Sequence, residues 1–161
     1  MKRDWCKYVH RNRTQGDCQL VTAANAYYYL TGKTITKRRY ERLIDLCGCR
    51  HGSATCIEKV HKELKIEPKK LYLSVFEFTF GKKILLPMEL NVWHKYYGFH
   101  SVLIVDFERR VNAVRITNFK YATSDGWIFL DDLSHFADLN NDRKEPRWKM
   151  RRFGLAGSKR C

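Results

Sequence analysis

Cys18 follows a polar, glycine-containing loop, Gln15-Gly16-Asp17, and opens a segment, Gln19 to Leu30, in which Leu20, Ala23, Ala24, Tyr27 and Leu30 recur at helical spacing. The spacing predicts a helix with Cys18 at its N-terminus. Unpaired amide N–H groups and the positive end of the helix dipole favour a thiolate there, so the position predicts a thiol pKa below the ordinary value. A thiolate becomes a catalyst only with a base beside it, a group that orients the base, and donors for the oxyanion formed when a carbonyl is attacked.

The sequence offers one candidate for each role. Gly98-Phe99-His100-Ser101-Val102-Leu103-Ile104-Val105 places a histidine at the start of an apolar strand whose burial would fix the ring. Arg115-Ile116-Thr117-Asn118 ends in an amide. A hairpin turning near Arg109 to Asn112 brings His100 and Asn118 to the same end of a sheet, as an amide orienting an imidazole requires.

This order of residues resembles the papain-like cysteine peptidases in the broad sense, including the bacteriocin-leader-processing peptidases. They share a cysteine opening the first long helix, a histidine starting a later strand, and an Asn or Asp ending the next one. Gly16-Asp17-Cys18 is similar to the calpain branch, and Asn118 followed by Gly126-Trp127 is faintly similar to the segment after the papain asparagine. The resemblance spans about residues 12 to 130. It implies a Cys18-His100-Asn118 triad cleaving a peptide or isopeptide bond. Deamidation and acyl transfer through the same thioester are the alternative chemistry.

The pattern departs from the family at two places. The family's oxyanion-donating glutamine lies six residues before the cysteine, and that position here is Asn12, one methylene shorter. Gln15 is three residues before Cys18, so the donor stays open between Gln15 and Asn12, with the Cys18 backbone N–H as the second. Gln19 replaces the tryptophan that follows the cysteine in papain.

Rival residues carry less. His94 sits in Trp93-His94-Lys95-Tyr96-Tyr97, which reads as a loop. Asp106 lies six residues along His100's own strand, about 20 Å away if extended. Asp17 is expected to cap the helix. Cys47, Cys49, His51 and Cys56 do not have a strong zinc spacing, so no metal and no cofactor are assigned.

The elements that must position these groups follow from punctuation and period. Gly32 suits a C-terminal cap for the Cys18 helix. Thr34 or Thr36 can cap a second helix to about Leu46, with Tyr40, Leu43, Ile44 and Leu46 on its inner face. A third begins at Ser53 or Thr55 and closes before Pro68. Alternation then predicts strands from Leu71 through Leu73 and Val75 towards Phe78 and Phe80, then over Ile84 to Leu90, Ser101 to Phe107 and Val114 to Asn118. Trp127 to Leu130 is a short further strand, and Asp131 to Leu139 a turn or short helix. Helices first and a mainly antiparallel sheet second make the fold α+β, with the nucleophile on the helical part. The 161 residues are read as one domain, with residues 1–14 a basic arm anchored by Trp5, Tyr8 and Val9 and residues 140–161 a basic tail.

The chain carries a formal charge of +14. An acidic polypeptide substrate, or nucleic acid or another polyanion on a basic surface, is the expected partner. A non-catalytic, nucleic-acid-associated protein that keeps the fold as a scaffold is the alternative class. Six irregularly spaced cysteines, Cys6, Cys18, Cys47, Cys49, Cys56 and Cys161, with no apolar signal segment, read as reduced thiols of a cytoplasmic protein, of the producing or a host cell. Compact size and positive charge also suit a phage or viral protein, within a virion. No run of about 18 apolar residues exists to span a membrane.

Overall fold

A computed structural model describes residue 5 and residues 9–74, 77, 85–95, 98–137, 139–140 and 147–157. Cys6, Tyr8, Val75, Phe78, Phe80, Ile84 and Cys161, each given a place above, lie outside the described residues. Three helices come first: α1 (Cys18–Thr31), α2 (Lys37–Cys47) and α3 (Ile57–Glu63). The strands follow as β1 (Ile66–Leu73), β2 (Met88–His94), β3 (Gly98–Glu108), β4 (Ala113–Thr117), β5 (Trp127–Phe129), β6 (Leu139–Asn140) and β7 (Arg147–Leu155), with a short helix α4 (Leu130–Ser134) after β5. Among the described residues the sheet order is β1-β7-β2-β3-β4-β5, with β6 beside β7, and every strand pairing is antiparallel. The architecture is α+β.

Local chemistry accounts for the helix ends. Gly32 takes the left-handed conformation and its N–H closes α1 onto Tyr28 O. The Thr36 side chain accepts from the Arg39 N–H and starts α2. Residues Leu20 to Ala26 of α1 are all buried, so this helix is enclosed rather than one-faced. Ala23, Ala24 and Ala26 let its backbone come close to β3, and the two polar residues within the run are paired. Thr22 Oγ1 lies 2.9 Å from Ser101 Oγ, and Asn25 Nδ2 donates to Thr117 Oγ1 at 3.2 Å.

The sheet is covered on both faces near its centre. Leu103 and Val105 of β3 pack with the helices, Ile66 and Phe153, while Val102 and Ile104 pack with Leu90, Ile116, Phe119, Leu133 and Trp148 on the opposite face. This is why Val102 to Val105 is apolar without alternation.

Three expectations change. The region from residue 140 is not only a tail, because Arg147–Leu155 forms β7, inserted between β1 and β2. His94 ends β2 rather than lying in a loop, and β1 begins at Ile66, so Pro68 lies inside a strand. Its residue pairs with Phe153 without breaking the β1–β7 register. Cys47 and Cys49 lie side by side across left-handed Gly48, with Cα atoms 5.5 Å apart, and both sulfurs face the Ile44 carbonyl. Among the described residues no helix is long and apolar enough to cross a membrane.

Candidate active site

The arm and loop before Cys18 are fastened at several points. His10 N–H donates to Asn25 Oδ1, and His10 Nε2 accepts from the Ile35 N–H. Trp5 packs edge-on against Tyr28, and its carbonyl accepts from the Arg115 guanidinium. Thr14 Oγ1 donates to Cys49 O. Gly16 passes so close to Gly52 that an added Cβ would fall 1.7 Å from the Gly52 carbonyl oxygen, so only glycine fits there.

Asp17 occupies the N-cap position of α1, but its carboxylate does not cap the helix. It accepts from the Arg13 N–H at 2.9 Å and from the Tyr40 hydroxyl at 2.7 Å, holding the loop to itself and to α2. The expectation of a side-chain cap is corrected: a buried carboxylate takes the donors that reach it, and these come from the loop and from α2.

Cys18 is thereby presented at the end of α1 into a cleft of about 300 Å³ that also takes in His100, Asn118, Asn12 and Gln15. Fully buried Phe119 and exposed Phe99 give the cleft an aromatic wall, and Lys120 lies on its edge. All five residues singled out from the sequence therefore meet in one place. Thr22, one turn after Cys18, touches Ser101, so the start of α1 lies against the residue that follows His100.

The β3–β4 hairpin turns through Arg109–Val111 and left-handed Asn112, bringing His100 and Asn118 to one end. Their contact is made by the main chain. His100 Nε2 lies 2.7 Å from the Asn118 carbonyl oxygen. A carbonyl only accepts, so Nε2 carries the proton and Nδ1 carries the lone pair. Asn118 adopts φ 54°, a left-handed conformation that asparagine tolerates. Its side chain turns elsewhere, with Nδ2 donating to Asn12 Oδ1 at 2.6 Å. With that oxygen engaged, the amino end of the Asn12 amide is what it can offer as a donor.

The electrostatics reverse one expectation. Burial pushes the Cys18 thiol above its ordinary pKa; the Ser101 and Gln19 N–H groups pull it down, and the Glu89 and Asp17 charges add to the rise. Burial pulls His100 down, against the opposing effects of the Asn118 carbonyl and Asp17. Desolvation is the largest influence on both groups, and it favours their neutral forms.

Sequence reasoning missed the polar chain beneath the site. Ser101 Oγ touches Thr22 and donates to Glu89 Oε1 at 2.5 Å. Arg151 donates to the same carboxylate at 2.5 and 2.9 Å. Glu89 is buried in an otherwise apolar stretch, Met88-Glu89-Leu90, and an acid interrupting such a run was the available signal. Asp106, the rival orienter, accepts from its neighbour Phe107 N–H at a break in the β3–β4 register.

No protein-family model matches the chain, and no curated protein matches it in sequence. Solved structures do match in fold. The peptidase domain of Streptococcus ComA, a bi-functional ABC transporter involved in a quorum-sensing pathway, superposes with a TM-score of 0.62 at 14% identity, over 92% of this chain and 96% of that one. The peptidase domain of Streptococcus mutans ComA superposes with a TM-score of 0.55 at 11% identity, over 89% and 96%. The α+β fold is therefore papain-like, with the helical part carrying Cys18 packed on the antiparallel sheet.

Proposed function

We propose that the protein is a cysteine peptidase-like hydrolase that attacks a peptide or isopeptide carbonyl through Cys18 and His100. The observation that carries this reading is the meeting in one cleft of a free thiol at a helix N-terminus, an imidazole with its Nε2–H held by the Asn118 carbonyl, and an amide whose carbonyl end is engaged. The papain-like fold shared with two peptidase domains supports it.

His100 Nδ1 accepts the thiol proton as the Cys18 sulfur bonds to the carbonyl carbon. The oxyanion takes hydrogen bonds from the Cys18 N–H, a first-turn amide without an intrahelical partner, and from Asn12 Nδ2. Asn12 is preferred to Gln15 because its oxygen is tied down by Asn118. Collapse breaks the C–N bond and the leaving amine takes the proton from His100. Water, deprotonated by the same nitrogen, then hydrolyses the thioester and frees the thiol. Asn118 serves twice, orienting the base with its carbonyl and Asn12 with its amide.

Reaction with p-nitrophenyl acetate tests this. A burst of one p-nitrophenolate per chain is expected, abolished in Cys18→Ala, strongly slowed in His100→Ala and unchanged in Cys56→Ala. A burst that survives Cys18→Ala would overturn the assignment.

A further inference from the structure

α1 packs on β3 through buried apolar residues, Leu20, Ala23 and Ala24 from the helix and Leu103 and Val105 from the strand. Thr22 and Ser101 interrupt that surface and are themselves 1% and 2% exposed. Each stands close to a proposed reacting group. Thr22 lies one turn after Cys18, and residues four apart share a helix face, while Ser101 follows His100 on the same backbone.

The bonds that join them have a fixed direction. Arg151 is the cross-strand partner of Glu89 and grips its carboxylate with two N–H groups, and Ser101, diagonal to Glu89 on the same sheet face, donates to Oε1 at 2.5 Å. The serine hydroxyl has one proton and that bond uses it. In the 2.9 Å contact Thr22 therefore donates and Ser101 accepts. The chain of bonds runs from β7 through β2 and β3 to α1.

Hydrophobic contact has no preferred direction, so apolar surfaces alone let a helix slide or turn by fractions of an ångström at little cost. A hydrogen bond weakens steeply once its angle departs from linear, so a hydroxyl pair registers one element on the other. A buried ion pair with two buried hydroxyls is a costly way to hold an interface that apolar side chains of the same shape would hold as well. Registration is what the apolar residues would not supply.

We propose that Thr22 and Ser101 are positioning residues: their hydrogen bond, anchored through Glu89 and Arg151, sets the place of the helix that carries Cys18 on the strand that carries His100. The inference rests on the peptidase reading above and adds the device that holds nucleophile and base in reacting geometry. Such a pair must be held to within about 0.5 Å, and a misplacement of about 1 Å can cost about 10²-fold in rate.

The test uses the full chain with Thr22→Val, which keeps the shape and removes the hydroxyl, against Thr22→Ser, which keeps the hydroxyl and removes a methyl. Ser101→Ala, which cuts the same bond from the strand side, is the second variant. Acylation by p-nitrophenyl acetate should be slowed about tenfold or more in Thr22→Val and in Ser101→Ala, and Thr22→Ser should keep the wild-type rate. A hydroxyl that only stabilises the fold would lower the urea midpoint and leave the rate of the folded protein unchanged. A wild-type rate in Thr22→Val therefore overturns the proposal, and so does equal slowing by valine and serine. Absence of a Cys18-dependent burst in the wild type would refute the peptidase reading instead. The positioning role is then read from the pH profile of iodoacetamide alkylation, followed at the Cys18 peptide by mass spectrometry. His100→Ala should shift the wild-type profile, Thr22→Val should shift it in the same direction, and Thr22→Val should add nothing in the His100→Ala background. An unshifted profile in either single variant, or shifts that add, overturns it.

Discussion

Replacing Arg151 with methionine isolates the contribution of the ion pair under the site. The guanidinium supplies two charge-assisted hydrogen bonds to Glu89, which is only 2% exposed. After Arg151→Met the carboxylate keeps the Ser101 hydroxyl and has lost its counter-charge, and breaking a buried pair by removing one partner costs about 3–5 kcal/mol. That exceeds a typical surface pair, about 0–1 kcal/mol, by enough to be decisive in urea unfolding at pH 7. The cost comes from the stranded charge, so Glu89→Gln in the same background should recover most of it. The Glu89 charge already raises the Cys18 thiol pKa, so unscreening it should also slow alkylation of Cys18 by iodoacetamide at pH 7.5. A loss under about 1 kcal/mol for Arg151→Met, or no recovery in the double variant, would refute the claim that Glu89 needs its partner.

Two further outcomes are expected. Asn12→Ala should slow acylation by p-nitrophenyl acetate about 10²–10³-fold as an oxyanion donor is lost. Asn118→Gly, which suits φ 54° and keeps the carbonyl for His100, should slow it less, and the double variant should be no worse than Asn12→Ala alone. Multiplying effects would instead mean that the Asn118 side chain acts on something other than Asn12. Acid should destabilise the fold through His10 and His61, both buried and pushed down to about 4, mainly by desolvation with help from Arg13 and Arg151 respectively. Each takes a proton more readily when unfolded, so its contribution is complete above about pH 6.5 and is lost as pH falls towards 4, on the order of 3 kcal/mol per histidine. His61→Leu should flatten the fall of the urea midpoint over that window, and an unchanged slope would count against the assignment.

The residues of the candidate site were legible because each stands at the end of a regular element. Cys18 precedes a helical period, His100 an apolar run and Asn118 follows a short strand, and a hairpin through Arg109 to Asn112 fixes their relative position by chain connectivity alone. β7 was illegible for a specific reason. Trp148 and Met150 face one core and Phe153 faces the other, because the strand passes beneath the helices part-way along its length. The apolar residues therefore change phase, and with Lys149, Arg151 and Arg152 between them they look like isolated points in a basic tail. The Cys18 pKa was illegible too. The helix N-terminus is a local feature, whereas desolvation, Glu89 and the carboxylate geometry of Asp17 are set by packing between segments far apart in sequence.

Asn118 shows how far residue type can be read before backbone conformation decides the role. As an amide at the end of a strand it suits a side chain that orients an imidazole. In the left-handed conformation the carbonyl faces His100 and the side chain is left to reach Asn12. The two roles proposed for them, orienting the base and completing the oxyanion site, would then fall to one connected unit. Asn12, a methylene shorter than the glutamine of the papain-like peptidases that the sequence resembles, is held by the same residue that contacts the His100 ring. A shorter donor held by a partner loses less side-chain freedom on binding an oxyanion than a longer one held by none. On the proposed reading, the shorter amide at Asn12 and the main-chain contact at Asn118 would compensate for each other within one site.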